Sequence, residues 1–267
     1  MPQPLAPFAY SRVFERPEDL HLAFLRDVEG DLGFALKETQ RLSGNPVRRL
    51  AEVQCGPALY ARAFAARGGQ ALAVDTSQPM LDFARGLERG EALELLLQDP
   101  RELSFPPVDT LLFPLDSFAY FTTDADVLAF FAAAERCLAP RGVVFVEANH
   151  PKEAGYIDYG VVYPRSQTED PRRQVRAEWA VNHPRYDWVT GLNQTQIRIT
   201  VREDGVERSR VIDSTERVYW PAQLRLLAEK SPLRVVRFHG GWTDAPLGWE
   251  SPVQVFTLMR PEECPPP

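Results

Sequence analysis

Cysteine is scarce in this chain and odd in number: Cys55, Cys137 and Cys264 are the three in 267 residues. Without metal-binding spacing, these exclude a disulfide-stapled scaffold and a zinc module, and they fit reduced thiols in a cytoplasm. Also missing is any run of about 18 apolar residues, so no membrane-spanning helix is expected. The opening MPQPLAPFAYSRVFERPED has no apolar core of signal-peptide length. Excess positive charge is lacking too. A net charge of −7 and a pI near 5.3 exclude general binding to nucleic acid or anionic membrane, which needs clustered cations. The local run Arg172, Arg173 and Arg176 reads as a solvated loop or edge strand. These absences leave a soluble cytoplasmic protein with a small-molecule partner.

A hydrophobic content of 44% against 25% charged residues is enough for a sizeable core in one large domain, or one domain with an insertion. Leu20, Phe24, Val28, Leu32, Leu36 and Leu42 recur at helical spacing, with a break expected at Gly30. Ser43-Gly44-Asn45-Pro46 stops that segment. From Val47 onward, apolar strands alternate with helices. Strands are expected at Val47–Val53, Ala71–Val74, Leu95–Leu97, Asp109–Leu115 and Val143–Glu147. Helices are expected around Leu59–Ala66, after a Ser77 cap, and from Val127 to Leu138 with Pro140 and Gly142 ending the last. Unbroken apolar strands alternating with helices indicate an α/β fold with a parallel sheet covered on both faces.

From about Gln174 to Tyr219 the pattern becomes alternating and Thr-rich, with a turn at Asp204-Gly205, as in an antiparallel meander with one wet face. Helix and strand signals then resume at Ala222–Lys230, Leu233–Phe238 and Val253–Met259, so the β segment is an insertion. The expected organisation is a helical cap over residues 1–45, a core over 46–150 and 219–260, and an inserted antiparallel β lobe over 151–218. The closing EECPPP reads as an unstructured tail.

The run Leu50–Ala84 carries the strongest functional signal. A strand ends near Glu52, a turn of small residues follows (Cys55-Gly56-Pro57-Ala58), and a second strand ends in Asp75. Small residues let backbone approach a nucleoside cofactor, and a strand-end carboxylate can accept both ribose hydroxyls. The motifs AEVQCGPA, AVDTSQPMLDFAR, LLLQDPREL and LLFPLDSFAYF, in this order and spacing, resemble those of the class I S-adenosylmethionine-dependent methyltransferases. The resemblance implies a Rossmann-like, doubly wound sheet of seven strands with the last antiparallel. The β insertion is similar to that of glycine and sugar-amine N-methyltransferases, where it forms a substrate chamber or an oligomer contact; here it is expected to serve one of these, with a homodimer as one outcome.

What the resemblance implies for the site can be named residue by residue. Gly56, with Gln54 and Cys55 beside it, would approach the methionine moiety of S-adenosylmethionine, with Glu52 behind the loop. Asp75 would accept the ribose hydroxyls, with Thr76 and Met80 close to the adenosine. Asp99 would bond the adenine amino group beside Pro100, and Leu115 and Asp116 would line the sulfonium side. Each position also has a plain structural reading: Asp75, Asp99 and Asp116 as caps or turns, Glu52 as an ion-pair partner, Cys55 as a small buried residue. Gln54 and Ala58 stand where the family has glycine. The Gln54 side chain either fills the space of the cofactor's amino-acid end, turns outward, or bonds the carboxylate.

His150, at the carboxyl edge of the fifth strand, and Tyr120 are the candidate catalytic or substrate-contacting residues, with a surface turn and core packing as the alternatives. Tyr156 is a further candidate at the mouth of the site. The tryptophans all fall late, where they build a core, a subunit contact or a cage for a methylated amine. The activity implied is methyl transfer to an amine or hydroxyl of a small molecule. Two other readings stay open. One is a degenerate, non-catalytic methyltransferase-like scaffold. The other is an NAD(P)-dependent oxidoreductase, which the missing G-x-G-x-x-G and the late β insertion disfavour.

Overall fold

A computed structural model of the protein describes residues 15–87, 92–154, 161–162, 172–182 and 186–265. Helices α1 (Pro17–Phe24) and α2 (Glu29–Ser43) open the described chain. The alternating core follows: β1 (Arg49–Val53), α3 (Leu59–Ala66), β2 (Gln70–Asp75), α4 (Gln78–Gly86), β3 (Leu93–Leu97), β4 (Val108–Phe113), α5 (Asp124–Arg136) and β5 (Leu138–Asn149). The lobe holds β6 (Val161–Val162), β7 (Arg173–Trp179), β8 (Tyr186–Asp187), β9 (Leu192–Glu203) and β10 (Val206–Arg217). The core closes with α6 (Pro221–Glu229), β11 (Arg234–His239) and β12 (Val253–Met259).

Seven strands form one sheet in the order β11-β12-β5-β4-β1-β2-β3. The first five in sequence run parallel, and β12 is antiparallel to both β5 and β11. This is the doubly wound arrangement expected, with its last strand reversed. The strand order turns back between β1 and β4, and ligands of such sheets bind there, beyond the carboxyl ends of the strands. Each face of the sheet has its own core. Phe113, Phe118, Phe130 and Phe131 pack with α5 and α6 on one side. On the other, Leu32 and Phe34 of α2 and Tyr60 of α3 meet Phe145 and Trp242.

The lobe is a separate antiparallel sheet in the order β10-β9-β7-β6, with β8 pairing β9. Asp204 and Gly205, both at positive φ, make the tight turn between β9 and β10. Helix α1 bridges lobe and core. Its Leu20 and Ala23 pack with Met80 of α4 and with Val175, Ala177, Ile197, Ile199 and Ile212 of the lobe. Asp19 of α1, buried to 1% exposure, adds an ion pair to Arg173 of β7 at 2.7 Å. Among the described residues, no helix is long and apolar enough to cross a membrane.

Several local expectations are corrected. The N-terminal helical span breaks at Leu25–Val28, not at Gly30, which lies inside α2. Pro140 and Gly142 do not terminate a helix running to Leu138: α5 already ends at Arg136, and both residues lie in β5, which begins at Leu138 and whose register is irregular next to Val108. The tail is ordered where described: Pro261–Glu263 form a short 3-10 turn, fixed by Arg260 on Glu135 and by Arg141 N–H on Glu263. Tyr156 lies outside the described residues. The Ser77 cap and Pro79 in the first turn of α4 are as expected, with Ser77 Oγ accepting from Met80 N–H.

Candidate active site

The switch point opens into a cavity of about 210 Å³. The loop after β1 gives it Gln54, Cys55 and Gly56, and the loop after β4 gives Leu115, Asp116 and Tyr120. Glu147 and Asn149 enter from the end of β5. The roof comes from distant parts of the chain: Leu20, His21 and Phe24 of α1, Arg26 just beyond it, and Trp179 and Glu216 of the lobe.

The loop after β1 is held under strain. Gln54, Gly56 and Ala58 have φ of 52, 51 and 58°, the left-handed region that costs a non-glycine residue about 1–2 kcal/mol. Gln54 and Ala58 hold this conformation without the freedom of glycine. Leu115 and Asp116 are also left-handed, at φ 59 and 55°, so both loops bordering the cavity are strained, as functional sites often are. Asp75 locks the first loop from behind. Its carboxylate, fully buried, accepts from Gly56 N–H at 2.8 Å and from Ser77 N–H at 2.9 Å. A Cβ built on Gly56 would meet open space, so the backbone there is bare toward a ligand.

Gln54 is 5% exposed, lines the cavity, and has no hydrogen-bond partner at either carboxamide atom. Burying such a group unpaired costs about 1–3 kcal/mol. Its side chain therefore has bonds to offer a ligand.

The second polar group is built on Glu147, 3% exposed. It accepts from Arg26 at 2.9 Å, Trp242 Nε1 at 2.8 Å and Leu115 N–H at 3.1 Å. Arg26 also bonds Tyr60 Oη and pairs with Asp31 at 2.9 Å. The guanidinium is thus spoken for, and it ties the segment after α1 to the ends of β4 and β5. Asp116 does similar work beside it, accepting from Asn149 N–H at 2.8 Å and from the Asn149 side chain.

The expected site residues divide in two. Gln54, Cys55, Gly56, Leu115, Asp116 and Tyr120 line the cavity; Glu52, Asp75, Thr76, Met80, Asp99, Pro100 and His150 do not. Met80 is covered by α1. Asp99 holds Arg101, with Oδ2 to the guanidinium at 2.7 Å and Oδ1 to its N–H at 2.8 Å. His150 has both ring nitrogens engaged: Nδ1 accepts from Lys152 N–H at 3.0 Å, so Nε2 donates to the Gly248 carbonyl at 3.1 Å. Burial lowers its affinity for a second proton. Cys55 is a small buried packing residue whose thiol is pushed up by burial. Sequence reasoning missed His21, Phe24, Arg26, Glu147, Trp179 and Glu216 as wall residues. Of these, only the strand-end position of Glu147 was a readable signal.

Glu52 accepts from Ala61 N–H at 2.8 Å behind the loop. Complete burial pushes its carboxyl up to about 8. Its folded value lies above the unfolded one, so folding takes up a proton, and this stabilisation is lost as pH rises from about 4.5 through about 8. Urea midpoints are expected to fall over that range, and Glu52→Gln, which still accepts from Ala61, is expected to flatten the fall. Equal slopes in both proteins would remove Glu52 as the cause.

Comparison with known proteins fits this geometry. Residues 51–146 match the family model described as a methyltransferase domain. No curated protein matches the sequence. Among solved structures, an S-adenosylmethionine-dependent methyltransferase from Clostridium acetobutylicum shares the fold with TM-score 0.72 and 16% identity, over 93% of this chain and 99% of that one. DesVI from Streptomyces venezuelae gives TM-score 0.71 and 18% identity over 91% and 96%. The sugar N-methyltransferase KedS8 from a Streptoalloteichus species gives 0.71 and 15% over 97% of each. The match spans β1 to β5 and both cavity loops, so this stretch is a methyltransferase domain, and the chain carries it on the class I methyltransferase fold.

Proposed function

We propose that the protein transfers a methyl group from S-adenosylmethionine to an amine of a small-molecule acceptor. The observation that carries this is the character of the cavity wall. Three carboxylates (Asp116, Glu147, Glu216) and three aromatic rings (Phe24, Tyr120, Trp179) face one space. Among the described residues, the one guanidinium there, that of Arg26, is already paired. Such a wall suits cationic ligands: carboxylates attract the charge and aromatic faces stabilise it. Sulfonium and ammonium are both cations. The likeness to a solved sugar N-methyltransferase supports an amine over a hydroxyl.

The residues present fit the cofactor. Gln54 would bond its amino-acid end, above the bare backbone of Gly56. Asp75 would receive the ribose: a carboxylate has about four acceptor positions, so it can take a hydroxyl while still holding Gly56 and Ser77. Met80 and Asp99 would lie toward the adenine, beneath α1. When bound, the cofactor supplies a methyl group on a sulfonium that leaves readily. The chain's own contribution is orientation and exclusion of water, worth up to about 7–11 kcal/mol when the reacting atoms are aligned.

The test is transfer of labelled methyl to cyclohexylamine, benzylamine and glucosamine, each beside its hydroxyl counterpart (cyclohexanol, benzyl alcohol, glucose). Label is expected in the amines only. Label in the alcohols alone would overturn the amine reading. No thermal shift with millimolar S-adenosylhomocysteine would favour the non-catalytic scaffold.

A further inference from the structure

The inner face of the lobe changes character along its length. On β10, alternate residues Ile212, Ser214 and Glu216 point inward. Their partners on β9 are Ile197, Thr195 and Asn193. The far end is apolar and packs against α1; the end beside the catalytic cavity is polar. A carboxylate on the buried face of a strand is costly unless it has a use.

Glu216 is 9% exposed and lines the cavity. Oε1 accepts from Trp179 Nε1 and from Ser214 Oγ, each at 3.1 Å. No hydrogen bond to a described residue occupies Oε2. Next to it in the same polar row, Thr195 is 2% exposed with an unpartnered Oγ1, and Asn193 has an unpartnered Oδ1. One held carboxylate oxygen and one open oxygen on the cavity wall, with two unused polar groups behind them in the same row, suit a ligand that carries an amine. Trp179, bonded to Glu216 and edge-on to Phe24 at 5.3 Å, supplies its apolar wall.

We propose that Glu216 binds the acceptor's ammonium and removes its proton before methyl transfer. This rests on the amine reading given above. The proton passes from nitrogen to Oε2, leaving a neutral amine and a neutral carboxyl. The nitrogen lone pair then forms the N–C bond to the methyl as the C–S bond breaks, with its electron pair passing to sulfur. The products are a methylated ammonium and S-adenosylhomocysteine. Burial raises the Glu216 carboxyl above the ordinary glutamate value, while Trp179 and Ser214 favour its ionised form. That combination makes it a stronger base than an ordinary glutamate. The other titratable groups on the cavity wall, among the described residues, are His21, Arg26, Cys55, Asp116, Tyr120 and Glu147. Arg26, Asp116 and Glu147 are committed to the bonds described above.

The experiment compares wild type, Glu216→Gln and Ser214→Ala on cyclohexylamine, benzylamine and glucosamine, across pH. Glutamine can still accept from Trp179 but cannot take a proton. Its kcat/KM for the amines is expected to fall about 100-fold or more, with loss of the acid limb of the pH profile. S-adenosylhomocysteine affinity and the melting temperature are expected to stay near wild type, which separates a chemical effect from misfolding. Ser214→Ala removes a bond that favours the ionised form, so its acid limb is expected at higher pH. Retention of amine turnover within about threefold and of the acid limb in Glu216→Gln would overturn the role of Glu216 while leaving the amine reading intact. Absence of amine methylation by the wild type would overturn both.

Discussion

Asp75→Ala is expected to weaken S-adenosylhomocysteine binding about 10- to 150-fold, the equivalent of 1.5–3 kcal/mol for lost hydrogen bonds to a charged group. Two effects add. The first is loss of the ribose acceptor proposed above. The second comes from the loop. Gly56 and Ser77 each donate a backbone N–H to this carboxylate, and alanine would leave both donors without their partner. The Gly56 end of the loop would then be free to relax away from the left-handed conformation that presents it to the cavity. Asp75→Asn separates the contributions: its carbonyl oxygen still accepts one bond, but its amide nitrogen faces a donor where an acceptor is required. Asparagine is therefore expected to fall between wild type and alanine in affinity, measured by isothermal titration. Unchanged affinity in the alanine variant would remove Asp75 from the cofactor site.

The place of Asp75 in the fold was only half legible in the sequence. A carboxylate at the end of a second strand, followed by Ser and Pro, marks the position well. What the sequence could not show is that the same oxygens reach across to Gly56, because side-chain direction depends on the register of β1 against β2. The sheet itself was readable throughout, since unbroken apolar strands such as LLF and VVFV can only be buried on both faces. The cavity floor was readable for the same reason: loops after β1 and β4 must meet at the switch point.

The roof was not readable. Phe24, Trp179 and Glu216 are brought together only by α1 packing against the lobe, across more than 150 residues of chain. Alternation along β10 predicts which residues share a face, but not that this face turns toward the cofactor domain. The local partner of Asp99 was not readable either. Arg101, two residues on, donates to both of its carboxylate oxygens and also to Asp126 of α5, a bridge that only the folded chain brings together.

Gln54→Gly is expected to move stability and affinity in opposite directions. Glycine relieves the left-handed strain at φ 52° and removes two unpartnered polar atoms; with about 1–2 kcal/mol from the backbone alone, the free protein is expected to melt several degrees higher. If the carboxamide serves the cofactor, S-adenosylhomocysteine should bind about 5- to 30-fold more weakly, the measure of one or two hydrogen bonds. Ala58→Gly is the control. Ala58 has the same backbone strain but no polar group, so its stability should rise while affinity holds. A tighter complex in Gln54→Gly would mean that the glutamine obstructs the cofactor, and the degenerate-scaffold reading would gain. A looser one would mean that the Gln54 side chain grips the cofactor, so that binding offsets the strain of its left-handed backbone.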